Sequence, residues 1–169
     1  MRAWRNSLIL VLLIAICFLL VHVNRKESAQ SVHKTIHHCT SCDWVPGVDG
    51  KNFEPSWFLA KYQIVIYSKS LEWDLATFNL DWEEVKRRFP QVQLVFVYGG
   101  KSKQKLEAWI VEKQFSDPVI FDPKGDFQTK NIEGNNTGIV FNLKDGEVQG
   151  LMSPTFGEDY YSFLEEMTR

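Results

Sequence analysis

A chain of 169 residues is about one domain's worth of sequence. Its 44% apolar, 24% charged and 14% aromatic content is ordinary for a globular protein, with no internal repeat and no low-complexity tract. A net charge of −2 gives no basic surface for nucleic acid, which is excluded as a partner, and there is no acidic tail.

The first segment stands apart from the rest. The short basic run MRAWRNS is followed by LILVLLIAICFLLVHV, residues 8–23, an apolar stretch interrupted only by His22. A spanning helix needs about 20 residues, which the flanks from Ala3 or Ser7 nearly supply. The best signal-cleavage candidate, ESAQS, sets Glu27 three residues before the cut after Ala29, a poor fit to a small-x-small site. An uncleaved transmembrane anchor is therefore preferred over a cleaved signal. Cys17 follows Ile16 rather than a small residue, so lipidation there is disfavoured. The basic residues on the two sides of the span nearly balance. A signal-anchor at the N-terminus usually exports the domain behind it, which would let cysteines pair in an oxidising compartment. The chain is read as a single-pass protein of a bacterial inner membrane with its C-terminal part in the periplasm. Residues 1–24 are the anchor, 25–43 a polar tether with a His/Cys cluster, and 44–169 the folded domain.

Within the domain, VDGKNFEP carries an Asp-Gly turn and predicts a hairpin. YQIVIY, residues 62–67, is β-branched and nearly continuous, a strand buried on both faces. Leu75, Phe78, Trp82, Val85 and Phe89 then fall on one face of a helix, with Glu83/Arg87 and Glu84/Arg88 paired on its wet side and Pro90 stopping it. VQLVFVY, residues 92–98, is a second buried strand ended by Gly99-Gly100. Residues 102–115 are helical with Leu106, Trp109 and Ile110 inward. PVIF, residues 118–121, is a third strand and DPKGDF a turn. GIVFNL and EVQGLM flank KDG as a hairpin. A last helix starts near Ser153-Pro154 or Thr155 and buries Tyr160, Phe163, Leu164 and Met167. Alternating strands and helices require a parallel part of the sheet, and the hairpin adds antiparallel strands.

This order resembles the thioredoxin-like superfamily, in its extracytoplasmic thiol–disulfide interchange and alkyl hydroperoxide reductase/thiol-specific antioxidant branch. Membrane-anchored members of that branch are common in Bacteroidetes. The resemblance covers roughly 47–169 and rests on FEPSWFLAKYQIVIYSKS, LDWEEVKRRFPQVQLVFVY, PVIFDPKGDF and GIVFNLKDGEVQG. It implies an α/β fold, a central mixed β-sheet flanked by helices, preceded here by one N-terminal transmembrane helix. It also implies a Cys-x-x-Cys between the first core strand and the next helix, where the helix dipole lowers a thiol pKa. That turn reads SKSLEWDL, with Glu72 and Leu75 where the cysteines would be. Such proteins carry a cis-proline before the strand that here begins at Gly138, and this chain has Thr137. On these two departures the expected activity is that of a non-catalytic binding or accessory protein with a degenerate site, needing no cofactor and serving an extracytoplasmic protein partner. Glu72, Trp73 and Asp74 are the candidate binding residues.

The stretch HHCTSCDW keeps two other readings open. Cys39 and Cys42 form a Cys-x-x-Cys that could act as a displaced thiol–disulfide oxidoreductase centre, or be a passive disulfide. His33, His37, His38, Cys39 and Cys42 together offer enough donors for tetrahedral zinc, or for copper. Haem attachment is excluded because Asp43 stands where Cys-x-x-Cys-His needs histidine. YGGK, residues 98–101, lacks the frame of a phosphate loop.

Overall fold

The computed structural model describes residues 35–39, 42–72, 77–134 and 136–169. The predicted anchor and the tether up to residue 34 lie outside them. Among the described residues no helix is long and apolar enough to cross a membrane.

Among the described residues six strands form one mixed sheet in the order β1-β4-β3-β2-β5-β6. They are β1 (Asp43–Val45), β2 (Tyr62–Ser68), β3 (Gln93–Tyr98), β4 (Val119–Phe121), β5 (Gly138–Lys144) and β6 (Glu147–Gly150). β2, β3 and β4 run parallel, as their helical crossovers require, and β1, β5 and β6 join antiparallel. The helices described with them are α1 (Trp82–Arg88), α2 (Lys103–Lys113), α3 (Asp126–Asn131) and α4 (Glu158–Thr168).

Both crossovers β2–α1–β3 and β3–α2–β4 move the chain in the same direction along the sheet. Right-handed connections then put both helices on one face. α4 joins them there. Trp82 and Val85 of α1, Leu106, Trp109 and Ile110 of α2, and Tyr160, Leu164 and Met167 of α4 pack on Ile64, Ile66, Phe96 and Val140. Phe78, Trp82, Val85 and Phe89 of the expected helical face are buried in this core, with Phe163 half-buried beside it, while Leu75 lies outside the described residues. One polar group is deep in this layer. Asn142 is fully buried, donates to the carbonyls of Gly150 (3.2 Å) and Met152 (2.8 Å), and accepts from the Tyr160 hydroxyl (3.1 Å).

Several expectations are corrected. VDGKNFEP makes a turn and not a hairpin: the Gly47 N–H donates to the Lys51 carbonyl, and the preceding residues form β1 on the sheet edge. The helix expected from Leu75 is broken. Thr77–Asn79 forms a 3₁₀ turn, and α1 starts afresh where the Asp81 side chain accepts from the Glu84 N–H (3.0 Å). The Trp82 indole N–H donates to the Thr77 carbonyl (2.7 Å), holding the break. The charge pairs on α1 fall at i,i+3, Glu83 with Lys86 and Glu84 with Arg87, while Arg88 reaches Glu158 and Glu165. DPKGDF is more than a turn, because α3 begins within it after Gly125 at φ 74°.

The second face of the sheet receives only α3, a 3₁₀ turn at Pro55–Leu59, and the segment leading into β1, among the described residues. That segment, a tether by its composition, is a strap. Thr35 bridges Glu147 beside β6, and β1 pairs with β4 at the opposite edge, so the chain between them passes across the sheet. Ile36 is 7% exposed and joins Val65, Phe127, Phe141 and Leu143. Asn131 of α3 takes the place of a strand partner. Its Oδ1 accepts from the His37 N–H (2.7 Å) and its Nδ2 donates to the His37 carbonyl (2.9 Å). The His38 ring stacks on Phe58 with centroids 3.7 Å apart. An apolar sheet face has to be covered, and the strap adds Ile36 to the cover that α3 and the 3₁₀ turn supply.

Two substitutions check this packing. Ile36→Ala is expected to lower unfolding free energy by about 2–4 kcal/mol in urea denaturation, the range for a buried isoleucine. A loss under about 0.5 kcal/mol, typical of exposed sites, would return the segment to a tether. Tyr160→Phe leaves Asn142 Oδ1 buried without its donor and should cost about 1–2 kcal/mol. An unchanged denaturation midpoint would show that the Asn142 network is not held by the hydroxyl.

Candidate functional site

Two loci lie at the carboxyl ends of the parallel strands, the turn after β2 and the disulfide beside β4. Strand ends of this kind are where ligands approach open α/β sheets. The loci are two strand spacings apart across the sheet, about 10 Å.

The turn after β2 is the position the resemblance points to. Ser68 donates its hydroxyl to the Ser70 carbonyl (2.6 Å), and the Ser70 hydroxyl accepts from the Glu72 N–H (3.3 Å). Both serines are thus engaged in shaping the backbone. The Lys69 N–H donates to the Thr137 carbonyl (2.7 Å), and the Thr77 hydroxyl donates to the Tyr67 carbonyl (2.9 Å). A Cβ on Gly138 would come within 3.2 Å of the Thr77 methyl. The Lys69–Thr137 bond thus extends the β2–β5 pairing one residue into the turn. Among the described residues no peptide bond is cis. Glu72 is exposed and pairs with Lys105 at 3.4 Å. Trp73, Asp74 and Leu75 lie outside the described residues.

The second locus holds the cysteines. Cys39 and Cys42 are joined in a disulfide, with Cα atoms 5.6 Å apart and both residues half-buried. Cys42 packs on the second core, and Asp43 directly after it pairs with Phe121 of β4. Asp122, the residue directly after that strand, is 1% exposed. One carboxylate oxygen of Asp122 and the two sulfurs all lie within 4.8 Å of one another. The strap and the β4 terminus thus bring together residues that sequence separates widely.

Asp122 has a fixed orientation. Its Oδ1 accepts from the Asp126 N–H and its Oδ2 from the Phe127 N–H, both at 2.9 Å, so it caps α3 from outside the helix. Tyr67 lies fully buried close by, its ring stacked on Phe127 at 5.7 Å and its hydroxyl donating to Gln128 (3.3 Å). Burial and then the Asp122 charge push the Tyr67 phenol far above its ordinary range, so it stays protonated.

The histidines of the predicted metal cluster have other tasks. His33 lies outside the described residues. His37 is exposed and uses its backbone on Asn131. Neither His37 nor His38 belongs to the group of donors around the sulfurs. Burial, and beyond it the neighbouring His37, holds the His38 pKa below its usual value. The residue that joins Cys39 and Cys42 is Asp122, which sequence patterning assigns only to a turn. Its signal is present: an aspartate directly after a buried strand and before Pro-x-Gly sits where its carboxylate can cap the next helix.

A half-buried Cys-x-x-Cys disulfide opens when a thiolate attacks one of its sulfurs. The carboxylate sets its bias. A negative charge beside the sulfurs disfavours thiolate and so favours the uncharged disulfide.

No protein-family model matches the chain, and no curated protein sequence does. Solved structures do match. Peroxiredoxin Q from Xanthomonas campestris aligns with a TM-score of 0.58 at 12% identity, over 82% of this chain and 99% of its own. A putative thiol:disulfide interchange protein, DsbE, from Chlorobium tepidum aligns with a TM-score of 0.58 at 16% identity, over 81% and 99%. The mitochondrial 2-Cys peroxiredoxin of Plasmodium falciparum aligns with a TM-score of 0.53 at 18% identity, over 72% and 82%. At these identities the likeness is one of fold alone, and this chain has a thioredoxin-like fold.

Proposed function

We propose that this protein is a thiol–disulfide oxidoreductase whose dithiol is Cys39/Cys42, moved from the turn after β2 to the strap before β1. The observation that carries this reading is the disulfide's setting: both cysteines only half-buried, at the carboxyl end of β4, against the buried Asp122 carboxylate. Loop length also favours chemistry over stapling. By chain entropy, closing a four-residue loop stabilises by only about 2 kcal/mol, against about 3 for a 15-residue loop.

In the reducing direction, one cysteine thiolate attacks a substrate disulfide. A mixed disulfide forms and one substrate thiolate leaves. The second cysteine then attacks the sulfur of the first, the mixed bond breaks, the second substrate thiolate leaves, and Cys39–Cys42 re-forms. Two electrons pass to the substrate, and the two protons of the dithiol end on the substrate thiols. The Asp122 carboxylate is close enough to the sulfurs to take such a proton in passing, directly or through one water. Its charge places the protein on the reductant side, since oxidants of this type are those whose reduced form is stabilised.

The comparisons support this reading through fold relatives named for peroxide and disulfide chemistry. A second reading, a binding or accessory protein with a degenerate site, draws support from the internally hydrogen-bonded turn after β2 and from Glu72 at that turn. We further propose that the apolar residues 8–23 anchor the domain on the outer side of a bacterial inner membrane, with an extracytoplasmic protein as partner. Retention of the full chain in the membrane pellet after alkaline extraction is the expected result.

Insulin reduction by the full chain, with dithiothreitol as electron source, tests the oxidoreductase reading. Cys39→Ala and Cys42→Ala should each fall to the uncatalysed rate. Wild type no faster than the variants would leave the binding reading. Glutathione titration should place the Cys39/Cys42 couple below about −220 mV, and Asp122→Asn should raise it on the order of 30 mV by removing the charge that disfavours thiolate. A downward shift in that variant would reverse the assigned role of the carboxylate.

A further inference from the structure

The Asp122 carboxylate is 1% exposed, and among the described residues no lysine, arginine or histidine forms an ion pair with it. Its visible compensation is two backbone N–H groups. A buried charge normally finds a counter-charge or coordinates a metal. In the oxidised protein the neighbouring sulfurs are neutral, and the arrangement is tolerable. On reduction, two thiols would stand beside the carboxylate, each able to give up its proton to a cation.

We propose that the reduced protein binds one Zn²⁺-like divalent cation through Cys39 Sγ, Cys42 Sγ and a carboxylate oxygen of Asp122. This goes beyond the exchange reaction and does not depend on it. The spacing fits. Zinc holds sulfur at about 2.3 Å and carboxylate oxygen at about 2.0–2.2 Å, so tetrahedral donors stand roughly 3.5 Å apart. The three donor atoms already lie within 4.8 Å of one another. Reduced sulfurs separate in any case, and Cys-x-x-Cys is a spacing zinc sites use. Each Asp122 oxygen accepts one N–H bond and keeps lone-pair capacity for a cation. Two thiolates and one carboxylate carry three negative charges, which a divalent ion reduces to one. Half-exposed cysteines leave the fourth position to water.

The balance is simple. A dithiol reductant becomes a disulfide while Cys39–Cys42 opens to two thiols. Cation binding then releases the two thiol protons. Re-forming the sulfur–sulfur bond takes the thiolate electrons that held the ion, passes two of them to the oxidant (a substrate disulfide) and ejects the ion. The site is thus open to metal only when reduced. Its donor set replaces the expected one, since His37 and His38 are not part of it.

The test uses the full chain in detergent, freed of metal with a chelator and reduced with a phosphine, with Co²⁺ as probe and Zn²⁺ as competitor. One Co²⁺ per reduced chain is expected, with thiolate-to-cobalt charge-transfer absorption that Zn²⁺ abolishes, and none per oxidised chain. Asp122→Asn should weaken binding at least about tenfold while circular dichroism stays native. The double variant His37→Ala/His38→Ala should bind as wild type. Absence of stoichiometric Co²⁺ on the reduced wild type overturns the proposal whatever the variants do. So does equal affinity in folded Asp122→Asn, or loss of binding in the histidine variant alone. Insulin reduction measured in parallel separates this outcome from failure of the oxidoreductase reading.

Discussion

The constraint on which the rest of this structure depends is the covering of the sheet's second face. Three helices share the first face because both parallel crossovers and the final helix fall there. The opposite face is equally apolar, with Val65, Tyr67, Val95, Val97, Phe141 and Leu143 on it, and α3 is only six residues long. Leaving such a surface wet would forfeit roughly 25 cal/mol for each Å². The chain before β1 supplies the missing layer. Its Ile36 provides apolar contact, and Asn131 pairs with both His37 backbone groups and so ties the strap to α3.

That solution decides where the cysteines go. A strap ending in an edge strand paired to β4 must pass the carboxyl end of β4, where Asp122 already caps α3. The dithiol lies at the same end of the sheet as the turn after β2, though on a different element. Among the described residues no long helix starts beneath it. Its electrostatics are set instead by a carboxylate, which works in the opposite direction from a helix N-terminus. The fold is shared with its structural relatives, while the placing of the sulfurs follows this chain's own packing.

The legibility of these features in the sequence follows their range. β2 and β3 are readable because unbroken β-branched runs have few alternatives, and α4 because Tyr160, Leu164 and Met167 keep one face. The start of α1 is hidden because Leu75, Phe78 and Trp82 hold helical spacing while Asp81 and the Trp82–Thr77 bond restart the chain. β1, three residues long, has no period to detect. The strap has the composition of a tether, and its anchor, Asn131, lies 94 residues downstream of His37. Asp122 is visible as a turn residue but not as a neighbour of sulfur, because only the β1–β4 pairing brings the two together. The histidines look like donors because they adjoin the cysteines in sequence, and packing sends the His38 ring to Phe58 instead.

The Cys39–Cys42 bond also has a mechanical consequence. Both of its ends lie within the strap, so it makes no covalent link between the strap and the sheet. Tension applied to the chain upstream of Thr35 would meet first the isolated Thr35–Glu147 bridge, then Ile36, then the His37–Asn131 pair. These contacts are met one after another, a geometry that peels at low force and does not share the load. Oxidation would shorten the strap without strengthening that path, and the first part of the fold to yield would be the layer that carries the cysteines.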